Sequence, residues 1–112
     1  MPVIDPTTFN ELKEMSGDDF INELIDTFLE DAPKMIADIN SGFATNNADI
    51  FRRAAHSMKS NAATFGASGL AALAKELEML GKENKLAETG DRLKSLDEAY
   101  ESVRSELMGL KS

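Results

Sequence analysis

The chain contains no cysteine and no tryptophan, and it has one tyrosine and three prolines. Without cysteine there can be no disulfide framework, thiolate zinc site or thiol nucleophile. The same absence suits a reducing compartment, so a cytoplasmic location is expected. No apolar run approaches the ~20 residues needed to cross a bilayer, and the N-terminus lacks the basic-then-apolar layout of a secretion signal. Positive charge is also scarce: twelve Lys and Arg stand against twenty Asp and Glu, a formal net charge of −8. Such a balance repels a phosphate backbone or an anionic lipid surface, so neither nucleic acid nor membrane is expected as a partner. The phosphate-binding pattern Gly-x-x-x-x-Gly-Lys-[Ser/Thr] does not occur, and Gly66-Ala67-Ser68-Gly69 reads as a turn between helices. The chain therefore has no ATP-consuming kinase centre of its own.

What is present points to helices. At 112 residues and 42% hydrophobic content the sequence allows one domain, residues 1–112, with a modest core. Ala, Leu, Glu, Lys and Met dominate, and these favour helix. Asp5-Pro6 opens a short first helix that Gly17 closes. From Asp18 the apolar positions Phe20, Ile21, Leu24, Ile25, Phe28, Leu29, Ala32, Met35, Ile36 and Ile39 keep helical spacing. Because the stripe stays in phase across Pro33, one bent helix is predicted rather than two. Asn46-Asn47 marks a turn and N-cap before a helix from about Ala48 to Phe65. Ser68 can cap the next, which carries Leu70, Leu73, Leu77 and Leu80 to Gly81. A last helix starts near Thr89 or Asp91 and carries Leu93, Leu96, Ala99, Tyr100, Val103, Leu107 and Leu110. Short connections between long helices predict an all-α, antiparallel up-and-down four-helix bundle with a short extra N-terminal helix.

The chemistry lies on the helix that follows Asn47. At about 100° per residue, Ile50, Phe51, Ala54, Ala55, Met58, Ala62 and Phe65 fall within an arc of roughly 140°, and His56 lies about 165° from its centre. His56, the only histidine, is therefore predicted on the solvent face. Arg52, Arg53, Lys59 and Ser60 are its neighbours one turn away, with Ala63 a further turn along. Transfer of a phosphoryl group to imidazole needs a neutral ring with a free lone pair, open access, and cations for the non-bridging oxygens. Lys59, flexible and three residues on, is the best placed of these cations. A lone exposed histidine on a helix is nevertheless usually a plain surface residue with basic neighbours serving solubility, so the wheel by itself does not decide for function.

The stretch Ala55-His56-Ser57-Met58-Lys59-Ser60-Asn61-Ala62-Ala63-Thr64-Phe65-Gly66-Ala67 resembles the motif of histidine-containing phosphotransfer (HPt) domains: histidine, an aliphatic residue two later, lysine three later, small residues, then Gly-Ala. Leu70, Leu73 and Lys75-Glu76-Leu77-Glu78 look like that family's next helix. Ile4-Asp5-Pro6 and Phe28-Leu29-Glu30-Asp31-Ala32-Pro33 are similar to common family openings. The likeness covers nearly the whole chain. It implies that His56 is the phosphoacceptor and that Lys59 steadies the phosphoryl group. Arg52, Arg53, Ser60, Ala63, Gly66 and Glu78 would then face the partner. Gly66 would also allow close packing or a turn. Glu78, at a position where some members of the family have a polar residue, often glutamine, could orient the ring or pair with Lys59. Two departures stand out: Ser60 replaces a common glycine, and Asn61-Ala62 a frequent Ser-Ser pair.

The resemblance implies a phosphorelay intermediate that takes a phosphoryl group from the phospho-aspartate of a response-regulator receiver domain or a hybrid histidine kinase and passes it on. No cofactor of its own is expected, Mg²⁺ being brought by the partner receiver, and a monomer is expected. Two alternatives remain open: a helical adaptor that binds a receiver without accepting phosphate, and the phosphorylatable domain of a larger kinase. Other chemistries fare worse. Arg53 stands where a Glu-x-x-His di-metal site needs glutamate, and Ser57 and Ser60 share the exposed helix with no pocket or oxyanion hole. Met15, Met35, Met58, Met79 and Met108 are read mostly as core filler.

Overall fold

The computed structural model describes residues 3–111, and among them every regular element is helical: α1 (Pro6–Ser16), α2 (Asp18–Ala44), α3 (Ala48–Thr64), α4 (Ser68–Lys82) and α5 (Arg92–Leu110), with a single 3-10 turn at Leu86–Glu88 before α5. Local chemistry sets the boundaries. The Asp5 carboxylate accepts hydrogen bonds from the Thr8 amide at 3.2 Å and the Thr8 hydroxyl at 2.6 Å, and Pro6 occupies the first turn, where its missing N–H costs nothing. Gly17, at φ +85°, ends α1. Asn46 takes the left-handed conformation, and Asn47 caps α3 by accepting from the Ile50 amide at 3.2 Å. Ser68 is the first helical residue of α4 and makes no side-chain cap, in contrast to its expected role. Asp91 stands at the N-cap of α5 without a side-chain bond.

α2 runs unbroken through Pro33. That proline lies on the exposed side, where solvent can take up the backbone group it leaves unpaired. The buried stripe of α2 (Ile21, Ile25, Phe28, Ala32, Ile39) meets Phe51, Ala55, Met58 and Ala62 of α3, Leu70, Ala74 and Leu77 of α4, and Leu96, Tyr100, Val103 and Leu107 of α5 in one core. α3 packs most extensively on α4 and next on α2, α4 and α2 both meet α5, and α1 lies across α2 and α3.

Some apolar residues are not where periodicity predicts. Phe20 is 51% and Ile50 41% exposed, because each sits at the edge of its helix's apolar arc, where no neighbour covers it. Of the methionines, Met58 is buried and Met35 half-buried, but Met15, Met79 and Met108 are exposed, so core filling describes only the minority. Among the described residues no helix is long and apolar enough to cross a membrane, and no group of three or more His, Cys, Asp or Glu side chains could hold a metal.

Two buried glycines let α3 lie close to its neighbours. A Cβ on Gly81 of α4 would stand 3.0 Å from the Arg52 Cβ and 3.1 Å from the Phe51 ring. One on Gly42 of α2 would stand 2.8 Å from the Phe51 backbone nitrogen and 3.0 Å from the Asn47 carbonyl oxygen. Gly→Ala inside a helix ordinarily gains about 0.5–1 kcal/mol. At Gly42 the colliding atoms are backbone and cannot step aside, so overpacking of about 1–3 kcal/mol outweighs that gain. Gly42→Ala is expected to lower the melting temperature by several degrees in a thermal scan, and an unchanged or raised Tm would refute the close contact.

Candidate functional site

α3 presents His56 outward, with its side chain 56% exposed, as expected for a position opposite Phe51, Ala55, Met58 and Ala62. α4 runs beside it and brings Glu78 across. The Glu78 carboxylate bridges two residues of α3: Oε2 lies 2.6 Å from His56 Nδ1, and Oε1 accepts from Lys59 Nζ at 2.7 Å. His56 and Lys59 are three residues apart and so share one stripe of the helix. The close approach of α4 at Gly81, one turn beyond Glu78, is what lets a glutamate reach both.

Glu78 is only 16% exposed at its side chain. The Lys59 ammonium holds its carboxyl below the usual glutamate range; burial opposes this, and the bond to His56 adds to it. An ionised carboxylate can only accept, so the hydrogen on the short contact belongs to His56 Nδ1. In the neutral form of the ring the lone pair then lies on the other nitrogen, Nε2. The exposed ring thus has one nitrogen held and one available.

The remaining expected site residues divide. Ser60 and Ala63 are exposed on α3, on the C-terminal side of His56. The two arginines do not crowd the ring: Arg52 and Arg53 both pair with Asp49, at 3.0 and 2.7 Å. Asp49 was legible as their i−3 and i−4 neighbour, and its carboxylate offsets part of the positive charge that Arg52 and Arg53 bring near the ring. Gly66 requires correction as a partner-facing residue. It is buried, at φ +81°, and a Cβ there would stand 2.9 Å from the Thr8 side chain and 3.2 Å from the Asp5 carbonyl. Asp5 donates its amide to the Gly66 carbonyl at 2.9 Å, so this glycine seats the chain's first turn and shows no face to a partner.

A feature that the sequence did not reveal lies on the other flank of α3. Met35 and Asp38 of α2 and Ile50, Arg53, Ala54 and Ser57 of α3 line an open cleft of about 310 Å³. Its apolar rim comes from half-buried Met35 and exposed Ile50.

Comparison with known proteins gives this geometry a family. The family model described as the Hpt domain matches residues 23–106, three-quarters of the chain, including α3, α4 and most of α2 and α5. The chain belongs to the Hpt family. Its function is accordingly histidine phosphotransfer in a phosphorelay, and Hpt domains pass phosphate between receiver domains and kinases. A solved structure, histidine-containing phosphotransfer protein B (HptB) from Pseudomonas aeruginosa PAO1, superposes with a TM-score of 0.91 at 24% identity over 98% of this chain and 95% of that one. At that identity the likeness shows a common fold, and the Hpt fold here is all-helical. No curated protein sequence matches this chain.

Proposed function

We propose that His56 is the phosphoacceptor of this Hpt domain and that Nε2 is the attacking atom. The observation that carries the reading is the Glu78 bridge, which holds a proton on Nδ1, so that the neutral ring has its lone pair on Nε2 of an exposed side chain. In the forward step Nε2 bonds to phosphorus as the phosphorus–oxygen bond of a receiver's phospho-aspartate breaks, and the electron pair returns to the aspartate carboxylate. The ring becomes an imidazolium whose Nδ1–H faces Glu78, so no proton has to leave. The reverse of this step on a second receiver discharges the carrier. Reversibility fits two high-energy species, an acyl phosphate and a phosphoramidate. The receiver supplies Mg²⁺ and most of the catalytic groups; this chain supplies the nucleophile and Lys59.

The scaffold on this reading is an antiparallel up-and-down four-helix bundle of α2–α5 with α1 as the extra helix, in one domain over residues 1–112. Connections of a few residues between α2, α3 and α4 support it. The carrier works as a monomer in the cytoplasm, in keeping with a chain free of cysteine. Arg52, Arg53, Ser60 and Ala63 face the incoming receiver.

Incubation with a labelled phospho-receiver tests the proposal. Label that is acid-labile, base-stable and mapped to His56 is the expected result. Stable complex formation without label would instead make the chain an adaptor. Lys59→Ala should slow transfer by about tenfold, ~1.4 kcal/mol of barrier. That is less than the loss of a buried oxyanion donor, because the Lys59 side chain is 31% exposed and a partner supplies other charge. Equal single-turnover rates for variant and wild type would remove Lys59 from the mechanism.

A further inference from the structure

We infer that Glu78 keeps phospho-His56 protonated at Nδ1, and so sets this carrier for rapid release of its phosphoryl group instead of storage. The inference rests on His56 being the phosphoacceptor and concerns what happens after the group has arrived. With phosphorus on Nε2, the ring can keep its Nδ1 proton or lose it. If the proton stays, the nitrogen–phosphorus bond breaks with its electron pair going to Nε2, and a neutral imidazole departs. If the proton is lost, the leaving group is an imidazolate, far more basic and far slower to leave. Hydrolysis balances in the same way: water oxygen bonds to phosphorus, the nitrogen–phosphorus bond breaks, and dihydrogen phosphate and neutral His56 result.

The chain's own groups favour the protonated form. Glu78 Oε2 is 2.6 Å from Nδ1, and a carboxylate facing a cationic N–H makes a charge-assisted bond of the strong class. Lys59 fixes the carboxylate from its other oxygen at 2.7 Å and helps hold it ionised. Charged groups near the ring come from three helices. α3 contributes Lys59 and the Asp49–Arg52–Arg53 group, in which the acid pairs with both arginines. α4 contributes Glu78, with exposed Lys75 and Lys82 about one turn to either side. α2 contributes Asp38, which lines the cleft with Arg53 and Ser57. Among the described residues, Glu78 is the carboxylate hydrogen-bonded to the ring. Glutamine at this position would still accept from Nδ1 but would carry no charge. Glu78 is thus a positioning residue that acts through His56.

The test uses the full chain, phosphorylated by potassium phosphoramidate or by a phospho-receiver. Loss of phosphate is followed from about pH 6 to about pH 9, and protonation of the phosphorylated ring is read by nitrogen-15 NMR. Glu78→Gln should move the midpoint at which the ring loses its Nδ1 proton down by about one pH unit, and lengthen the lifetime of the phosphorylated form above that midpoint by about tenfold. Because Glu78→Gln also frees Lys59, the double variant Lys59→Ala/Glu78→Gln serves as control and should keep the downward shift. Lys59→Ala alone should leave the midpoint at or above its wild-type position. An unmoved midpoint in Glu78→Gln, or a shift that vanishes in the double variant, overturns the inference while leaving labelled His56 as the acceptor. Wild-type protein that takes no label at His56 overturns the acceptor reading and this inference with it.

Discussion

His56→Gln is expected to abolish phosphoryl acceptance outright while leaving the helical fold in place. Glutamine has a similar reach, but its amide nitrogen has no basic lone pair, so the nucleophile is removed and no other histidine can take over. The fold should survive for a separate reason. The His56 side chain is 56% exposed, it lies outside the core cluster, and its loss leaves Glu78 still paired with Lys59. Surface substitutions of this kind usually change stability by no more than about 0.5 kcal/mol. The measurement is transfer of label from a phospho-receiver, alongside circular dichroism and a thermal melt on the same preparation. Label retained by a folded His56→Gln protein would move the acceptor elsewhere; loss of label together with loss of fold would show His56 to be structural.

Phe28→Ala should produce the largest loss of stability among the substitutions considered. Phe28 is 2% exposed, and its ring centroid lies 5.4 Å from that of Phe65 and 6.1 Å from that of Tyr100. It therefore joins α2 to the end of α3 and to α5 in one aromatic cluster. Truncating a buried phenylalanine costs about 3–5 kcal/mol, through lost transfer energy and the cavity left behind, and the two ring contacts add to the burial. Domains of this size typically have only about 5–15 kcal/mol of total stability, so the variant should unfold at much lower urea. Phe28→Leu refills most of the space and should lose roughly half as much or less. Equal midpoints for Phe28→Ala and wild type would mean that the cluster does not carry the packing assigned to it. Neither substitution touches His56, so any folded fraction should still accept phosphate.

The helices were legible because their signals are local. Asp5-Pro6, Gly17 and Asn47 act on amides three or four residues away, and a buried stripe such as Ile21, Ile25, Phe28 and Ala32 repeats every turn. Periodicity also placed His56 opposite the core, since that depends only on its angle from Phe51, Ala55 and Met58. It failed at Phe20 and Ile50, which sit at arc edges where exposure depends on how close the next helix lies. The turn at Leu86–Glu88 lies in a segment, residues 82–89, without proline or glycine, so no local backbone signal marks it in the sequence.

The sequence by itself determined the fold class, the exposure of His56, the placing of Lys59 on the same stripe of its helix, and the family motif, because each follows from spacing within a single element. The tertiary structure decided which groups answer His56. It buried Gly66 under the first turn of α1 and brought Glu78 across from α4, twenty-two residues away in sequence, onto Nδ1. No helical period links positions on two helices. That contact depends on how closely α4 lies against α3, which Gly81 permits and the shared core enforces.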